Sequence, residues 1–264
     1  MAIRDEIKKQ TQKTKNMTPR ENFSYFWSYY KFPFLAVIIG IVILVSCIHS
    51  AITQKTDALC ALVINADASA VPTGTVEKWE DDMTSILGID TKKYQVYIDY
   101  STSLSLNSND QYSLSNTEKF AAMSAAQQID DVISDETIFE YYAQFQYFYK
   151  LSDVLTNDEM AKYKDKFYYT DKSTADETDS DDYDVSDMTS RTIDHHDPTT
   201  MKDPVAVGIY VTDSSKIKNS KCYDYLVTEK TQFQGHQSET VIGIPSTTKH
   251  PEAARAFLNY MLAD

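Results

Sequence analysis

The sequence predicts one transmembrane helix followed by an α/β domain whose sheet is mixed and mainly parallel. Three observations lead to this prediction. An apolar run at residues 32–53 contains no Asp, Glu, Lys or Arg. Short apolar strand patterns then alternate with amphipathic helix patterns along residues 55–264, as in sheets that helices cover on both faces. Basic residues dominate before the apolar run, and acidic residues dominate after it.

The apolar run is long enough to cross a bilayer, since about 20 residues at 1.5 Å each span roughly 30 Å of hydrocarbon. Residues 1–31 contain seven Lys/Arg and three Asp/Glu, whereas residues 55–264 contain 18 basic and 36 acidic residues. The positive-inside rule therefore predicts a cytoplasmic juxtamembrane segment (1–31), a transmembrane helix (32–53) and an extracellular domain (55–264) at the cell membrane. The expected interface anchors are amphipathic rings and one cation, namely Trp27, Tyr29, Tyr30 and Lys31.

Two other interpretations of the run stay open. It could be the buried core helix of a soluble domain, although such helices seldom run this long without a polar face. Residues 44–47 (LVSC) look like a bacterial lipobox, in which case Cys47 would be lipidated and would become the new N-terminus. A removed signal peptide fits less well, because the polar start and the apolar run are both too long. Either anchor leaves the domain tethered to the outer face.

Within the domain, the first half alternates strand and helix patterns. Strands are predicted at residues 58–65, 94–100 and 131–134, and helices at residues 75–87, from Ser115 to about Ile129, and from about Glu136. Gly88 offers a C-terminal cap to the first helix. Ser115 and Glu118 have the spacing of a capping box for the second.

The second half ends in a strand and a helix. Val205, Val207, Ile209 and Val211 alternate along a predicted strand, and residues 240–244 form a short apolar one. Pro251 marks the start of a helix, whose apolar face consists of Ala254, Phe257, Leu258, Met261 and Leu262.

Residues 173–203 contain ten Asp/Glu and few large apolar residues, so they are predicted to be a flexible acidic loop. This loop holds weak metal-site candidates, His195, His196 and Asp197, but adjacent histidines in a loop are poorly preorganised and no metal is expected. Asp179, Asp181 and Asp184 lack the glycine and closing glutamate of a calcium loop. A domain this acidic is also not expected to bind nucleic acid.

The chain shows no nucleophile elbow, Walker loop or dinucleotide fingerprint, so the sequence predicts neither an enzyme nor a cofactor. Outside the apolar run, Cys60 and Cys222 could pair, although two separate thiols are the simpler interpretation.

Three stretches resemble parts of known proteins. Residues 242–262 (IGIPSTTKHPEAARAFLNYML) and 125–155, which include DVI and LSDVL, resemble bacterial extracellular solute-binding proteins of the type 2 periplasmic-binding-like family. Residues 20–32 (RENFSYFWSYYKF) look like anchors on proteins of Gram-positive anaerobes. The resemblance implies a periplasmic-binding-protein-like α/β lobe. Family members usually have two lobes, but here the acidic loop stands where most of the second would be, so the resemblance implies a single lobe with a shortened second one.

Together these observations favour a membrane-anchored extracytoplasmic binding protein that binds a small molecule or a protein, and the resemblance extends this expectation to a transport system. Open α/β sheets bind ligands at their carboxyl strand ends, so the site is expected there. The alternative is a structural or regulatory interaction module that kept the fold and lost ligand binding.

Overall fold

The computed structural model describes residues 18–106, 110–174, 193–227, 232–233 and 236–263. The chain divides into two compact units, residues 1–54 and 55–264. The described part of the first unit is mainly one helix, α1 (Pro19–Thr53). A 20-residue stretch of it, Tyr30–His49, is apolar and long enough to cross a membrane, and none of that stretch is buried. This exposure differs from that of a core helix in a soluble domain, which is mostly buried.

Several candidate anchor residues lie on α1. Trp27 is 53% exposed and stacks on Phe23 with ring centroids 6.0 Å apart. Lys31 Nζ lies 5.1 Å from the ring centroid of Phe32. Tyr30 is half-buried, and Tyr29 is on the helix with its side chain outside the described part. Cys47 is exposed with a free thiol. The anchoring roles of these residues and the lipidation of Cys47 stay predictions.

The second unit alternates strands and helices before it ends in α8. Its elements are β1 (Thr56–Val63), α2 (Thr75–Leu87), β2 (Tyr94–Asp99), α3 (Gln111–Ala125), β3 (Asp131–Asp135), α4 (Glu136–Gln144), α5 (Leu151–Val154), α6 (Asn157–Tyr163), β4 (Phe167–Asp171), β5 (Pro204–Tyr210), α7 (Ser215–Ser220), β6 (Gln232–Phe233), β7 (His236–Gln237), β8 (Thr240–Gly243) and α8 (Pro251–Leu262). Short 3-10 turns lie at Lys164–Lys166, Lys172–Thr174, Pro198–Thr200 and Asp224–Val227.

Six of these strands form one mixed sheet in the order β2-β1-β3-β8-β5-β4, and β6 and β7 form a separate pair. The predicted α/β class with a mixed sheet is confirmed. The predicted majority of parallel pairs is wrong. Only β1 with β2 and β1 with β3 are parallel, whereas β8 runs opposite to both of its neighbours and β4 runs opposite to β5. A central strand is apolar on both faces in either direction, so the apolar pattern could not reveal the direction of β8.

Helices cover both faces of the sheet. One core contains side chains of α2 and α8, and the other contains side chains of α3 and α4. All five predicted apolar residues of α8 are buried. Cys222 belongs to the first core and Cys60 to the second, and both thiols are free. The two cysteines therefore lie on opposite faces of the sheet.

A β-bulge interrupts the alternation predicted along β5. Tyr168 pairs with Gly208 and Tyr169 with Ala206, so one extra residue, Val207, lies between these two pairs. After a bulge, side chains change faces. Val207 therefore belongs to the α3/α4 core and Ile209 to the α2/α8 core, where the sequence predicted one common face.

The ring of Phe139 explains why Gly208 lies at this bulge. A Cβ at Gly208 would lie 2.5 Å from Phe139 Cζ, and one at Gly243 would lie 2.8 Å from it. The two glycines therefore leave room for the ring, which also stacks on Phe148 with centroids 4.2 Å apart. This close packing connects α4 to the middle of the sheet.

Helix caps agree with the sequence at α2 and differ at α3. Gly88 ends α2 in a left-handed conformation with φ 60°, and its N–H donates hydrogen bonds to the carbonyl oxygens of Thr84 and Ser85. The capping box predicted at Ser115 is wrong, because α3 begins earlier and the Asp110 side chain accepts hydrogen bonds from Tyr112 N and Ser113 N. The helix ends at Ala125, four residues before the predicted end. The carboxylate of Asp110, which precedes the predicted capping box, therefore sets the start of α3.

Candidate ligand-binding site

The carboxyl ends of several strands meet at one edge of the sheet. Strands β1, β2 and β3 are parallel, and β5 runs in the same direction because β8 is antiparallel to both β3 and β5. The first residues of β8 lie at this same edge. The polar residues that follow β1, β3 and β5 or precede β8 are therefore brought together, as the strand-end rule for α/β sheets predicts.

Part of this edge is structural. Asn65, in a left-handed conformation with φ 60°, donates a 2.8 Å hydrogen bond from Nδ2 to Asp135 and accepts one from the Leu104 N–H. Asp135 also caps α4 by accepting from Ile138 N. The Tyr225 hydroxyl donates to the carbonyl of Asn65. These polar groups hold loops to the ends of β1 and β3.

A buried carboxyl organises the next part of the edge. Glu136 is fully buried, accepts the Tyr210 hydroxyl at 3.0 Å, and accepts the Glu239 N–H at 2.9 Å. Burial and the adjacent Glu136 carboxyl raise the pKa of Tyr210, which keeps that phenol a neutral donor. This network fixes the chain just before β8.

His196 closes over this network from the acidic segment. Its Nε2 lies 2.7 Å from Glu239 Oε2, and its ring stacks on Tyr210 with centroids 3.9 Å apart and an 8° angle. The backbone N–H of His196 donates to Asp194. The described end of the segment predicted as flexible is thus attached to the sheet edge through a stacked ring and the contact between His196 and Glu239.

The three weak metal candidates do not converge. His195 is buried, stacks on Tyr168, and lies with Nδ1 2.7 Å from the carbonyl of Tyr169 and Nε2 3.5 Å from Glu140. Asp197 instead caps the 3-10 turn through Thr199. Among the described residues, no group of three His, Cys, Asp or Glu could hold a metal ion. Asp179, Asp181 and Asp184 lie outside the described residues.

An open cavity of about 700 Å³ lies at this edge. It is lined by residues after β5, by α7, by the 3-10 turn that begins at Asp224, and by the residues at the start of β8. The segment that carries Asp194 and His196 also lines it. A smaller cavity of about 290 Å³ shares Leu226 and Ser238 with it and continues to Asn65 and Asp135.

Two hydroxyl groups in the cavity lining have no hydrogen-bond partner among the described residues. Ser238 Oγ and Thr240 Oγ1 are both buried and unpartnered among the described residues, with relative exposures of 6% and 1% for the two residues. Most buried hydroxyls in proteins do have partners. In contrast, Thr212 in the same lining is satisfied, because its Oγ1 accepts the Thr240 N–H at 2.8 Å.

Charged groups line the same cavity as these hydroxyls. Asp213 and Lys218 form a 2.6 Å ion pair, and the hydrogen bond and charge of Lys218 lower the pKa of Asp213. Asp194, Asp224 and Glu239 add three further carboxyl groups to the lining. The cavity is therefore polar at its rim and more acidic than basic.

The sequence identified few of these residues. It predicted a site at the strand ends but named no ligand-binding residue. Asp213, Ser238 and Glu239 were detectable as polar residues beside the predicted strands at 205–211 and 240–244. Asp224 and Leu226 belong to a 3-10 turn for which the sequence contained no comparable signal.

No protein-family model matches this sequence, and no curated protein is similar to it in sequence. Eight solved chains show structural likeness. An ABC substrate-binding protein of Listeria monocytogenes in complex with cycloalternan is 12% identical, with a TM-score of 0.33 over 80% of this chain and 76% of that one. Iron-bound HitA of Pseudomonas aeruginosa is 10% identical, with a TM-score of 0.35 over 78% of this chain and 81% of that one. A sugar transporter of Rhizobium etli in an open conformation is 11% identical, with a TM-score of 0.34 over 80% of this chain and 77% of that one. TM-scores below 0.5 do not by themselves establish a shared fold.

Proposed function

We propose that this chain is a membrane-anchored extracellular binding protein, without enzymatic activity, whose domain holds a small ligand in the strand-edge cavity. The observation that carries the proposal is the cavity of about 700 Å³ at the carboxyl strand ends. Ligand pockets usually measure about 300–1,000 Å³ and are mostly apolar with a few polar groups. Ile193, Ile217 and Leu226 supply apolar lining, and the unpartnered hydroxyls and carboxyls supply polar groups.

One of the two stretches that resemble solute-binding proteins contributes to this edge. Residues 125–155 contain β3 and Glu136, which follows β3 at the edge, whereas residues 242–262 begin in the last part of β8, which pairs with β3 and lies at the opposite edge. This arrangement supports a solute-binding function of the kind that the resemblance implies, and the transport system it would serve is part of the same proposal.

Anchoring and orientation are tested on intact bacteria that produce the full chain with a tag before Met1. The proposal predicts that added protease removes the domain and leaves a membrane-bound fragment with a protected tag, because the basic side of α1 faces the cytoplasm. Extraction by carbonate alone, without detergent, would contradict the anchor. Labelled palmitate incorporated in the parent but not in Cys47→Ser would identify a lipid anchor instead.

Ligand binding is tested by a thermal-shift screen of the full chain in detergent against sugars, amino acids, peptides and Ca²⁺. A ligand at about 100 times its Kd adds about 2.7 kcal/mol, which raises the Tm of a domain this size by about 5–10 °C. Lys218→Trp should abolish the shift by filling the cavity mouth. The control is Lys164→Trp, an exposed lysine outside the cavity lining, and it should keep the shift.

A second outcome would favour the interaction module. The stacked His196 and its 2.7 Å contact with Glu239 cover part of the sheet edge, which a domain without a ligand would also do. If no compound raises the Tm, and the parent protein behaves like Lys218→Trp with every compound, the proposal of solute binding is wrong. The edge would then serve contact with another protein.

A further inference from the structure

We propose that the cavity takes a small organic cation, a compound with an ammonium group and a compact apolar body. This inference rests on the proposed binding function and specifies its ligand class. It follows from the juxtaposition of unpaired carboxyl groups, unpartnered buried hydroxyls and an apolar wall in one cavity.

The charges of the lining are not balanced. It contains four carboxyl groups (Asp194, Asp213, Asp224 and Glu239), one lysine and one histidine. Lys218 is already paired with Asp213, and His196 with Glu239. Among the described residues, Asp194 and Asp224 have no cationic partner. An anionic ligand would meet this excess of negative charge, whereas a cation would complete two ion pairs.

The hydroxyl groups match the same ligand. An ammonium group has three N–H donors and no acceptor. Ser238 Oγ and Thr240 Oγ1 each have free acceptor capacity, and both residues line the cavity. A hydrogen bond between a charged donor and a hydroxyl is stronger than a neutral one. A bound ammonium group would therefore satisfy buried oxygens that the protein itself leaves without a partner.

The apolar wall favours an organic cation over a metal ion. Ile193, Ile217 and Leu226 can contact a hydrocarbon body but provide no side-chain ligand to a metal. Ca²⁺ takes six to eight oxygen ligands, and the described residues contain no group of three acidic, His or Cys side chains that could hold one ion. A compact ring or alkyl body with one ammonium group fits this combination.

The test measures binding of three compounds of similar shape to the full chain in zwitterionic detergent by calorimetry. These are phenethylammonium, neutral 2-phenylethanol and anionic 3-phenylpropionate, with Ca²⁺ alone as a fourth arm. We expect phenethylammonium to bind at least tenfold more tightly than either analogue. The double variant Asp194→Asn/Asp224→Asn should weaken its binding at least tenfold. Asp158→Asn removes an exposed carboxyl outside the cavity lining and should leave binding unchanged.

Each remaining result overturns the cation proposal. Equal or tighter binding of the alcohol or the carboxylate, lost in Lys218→Trp, would refute the charge argument and leave the solute-binding proposal intact. A Ca²⁺ signal that the double variant removes would replace the organic cation with a metal. Binding of phenethylammonium that survives the double variant, or no binding at all, refutes the assignment. Far-ultraviolet circular dichroism and the Tm of each variant verify that it is folded.

Discussion

The segments at the two ends of β8 are both polar, but they use their polar groups differently. Ser238 lies just before β8 and Thr240 is its first residue. The hydroxyls of both residues have no hydrogen-bond partner among the described residues, and both residues line the open cavity. After its end, the Thr248 hydroxyl donates to Asp130 Oδ1, and His250 Nδ1 lies 3.2 Å from both oxygens of the same carboxyl. The Thr248 hydroxyl and the Asp130 carboxyl at the far end are partnered within the fold, whereas the two hydroxyls at the start of β8 have no hydrogen-bond partner among the described residues.

Asp130 is the centre of the closed end. It is 1% exposed and also accepts the Cys60 N–H at 2.8 Å, so it connects β1 to the start of α8. Its neighbour Asp131 is an exception at this end, because neither of its oxygens has a partner among the described residues. Burial raises the pKa of Asp131 well above its usual value. Asp131 lines none of the described cavities, so its lack of partners does not indicate a site.

The largest effect should come from breaking the closed end. Asp130→Ala leaves the Cys60 N–H and the Thr248 hydroxyl without their acceptor, and each buried unsatisfied group costs about 1–3 kcal/mol. We expect a loss of about 3 kcal/mol in the free energy of unfolding, measured in urea by Trp79 fluorescence of the full chain in detergent. Asp158→Ala, at an exposed position, should stay within about 0.5 kcal/mol of the parent. A loss below about 1 kcal/mol at Asp130 would show that the carboxyl does not stabilise the fold.

Much of the fold could be predicted from sequence because local patterns determined it. The α8 face and the Gly88 cap depend on periodicity and on one conformational preference, and both appear in the structure. The direction of β8 and the bulge at Val207 depend on contacts between distant segments, such as the fit of Phe139 against Gly208. No local pattern contains that information.

The sequence could indicate the sheet edge where the candidate cavity lies, but not the residues that line the cavity. Strand ends indicate where polar residues gather, which is why Asp213 and Glu239 fall beside predicted strands. The partner of each group could not be predicted, since His196 reaches Glu239 across 43 positions of sequence. Sequence alone therefore could not separate the satisfied carboxyls from the two that stay unpaired.

A smaller, pH-dependent effect is expected at Asp99, a satisfied carboxyl at the end of β2. Burial raises the pKa of Asp99, but hydrogen bonds from Lys119, Ser101 and Thr102 outweigh burial and hold the pKa at about 2. Lys119 Nζ lies 2.5 Å from Asp99 Oδ2. Because the folded-state pKa is below the unfolded value of 3.8, the ionised group stabilises the fold above that value, and the contribution is lost as the pH falls toward 2.

Asp99→Asn should therefore reduce the free energy of unfolding by about 1–2 kcal/mol at pH 7. Urea unfolding at several pH values should show the difference from the parent shrinking between about pH 4 and pH 2. Asp158→Asn serves as the control for removal of one acidic charge. A difference that stays constant over this range would mean that Asp99 acts through packing instead of charge.

The smallest effect is expected at Thr240, and it tests the comparison most directly. Thr240→Val replaces an unpartnered buried hydroxyl with a methyl group of similar size, so no hydrogen bond is lost and the free energy of unfolding should stay within about 0.5 kcal/mol or rise. The matched change Thr248→Val removes the hydroxyl that donates to Asp130 and accepts the His250 N–H, and it should cost about 1–2 kcal/mol. If Thr240→Val costs as much as Thr248→Val, the hydroxyl at the cavity already stabilises the fold. If Thr240→Val keeps its stability but binds phenethylammonium more weakly, Thr240 contributes to the ligand site and not to the fold.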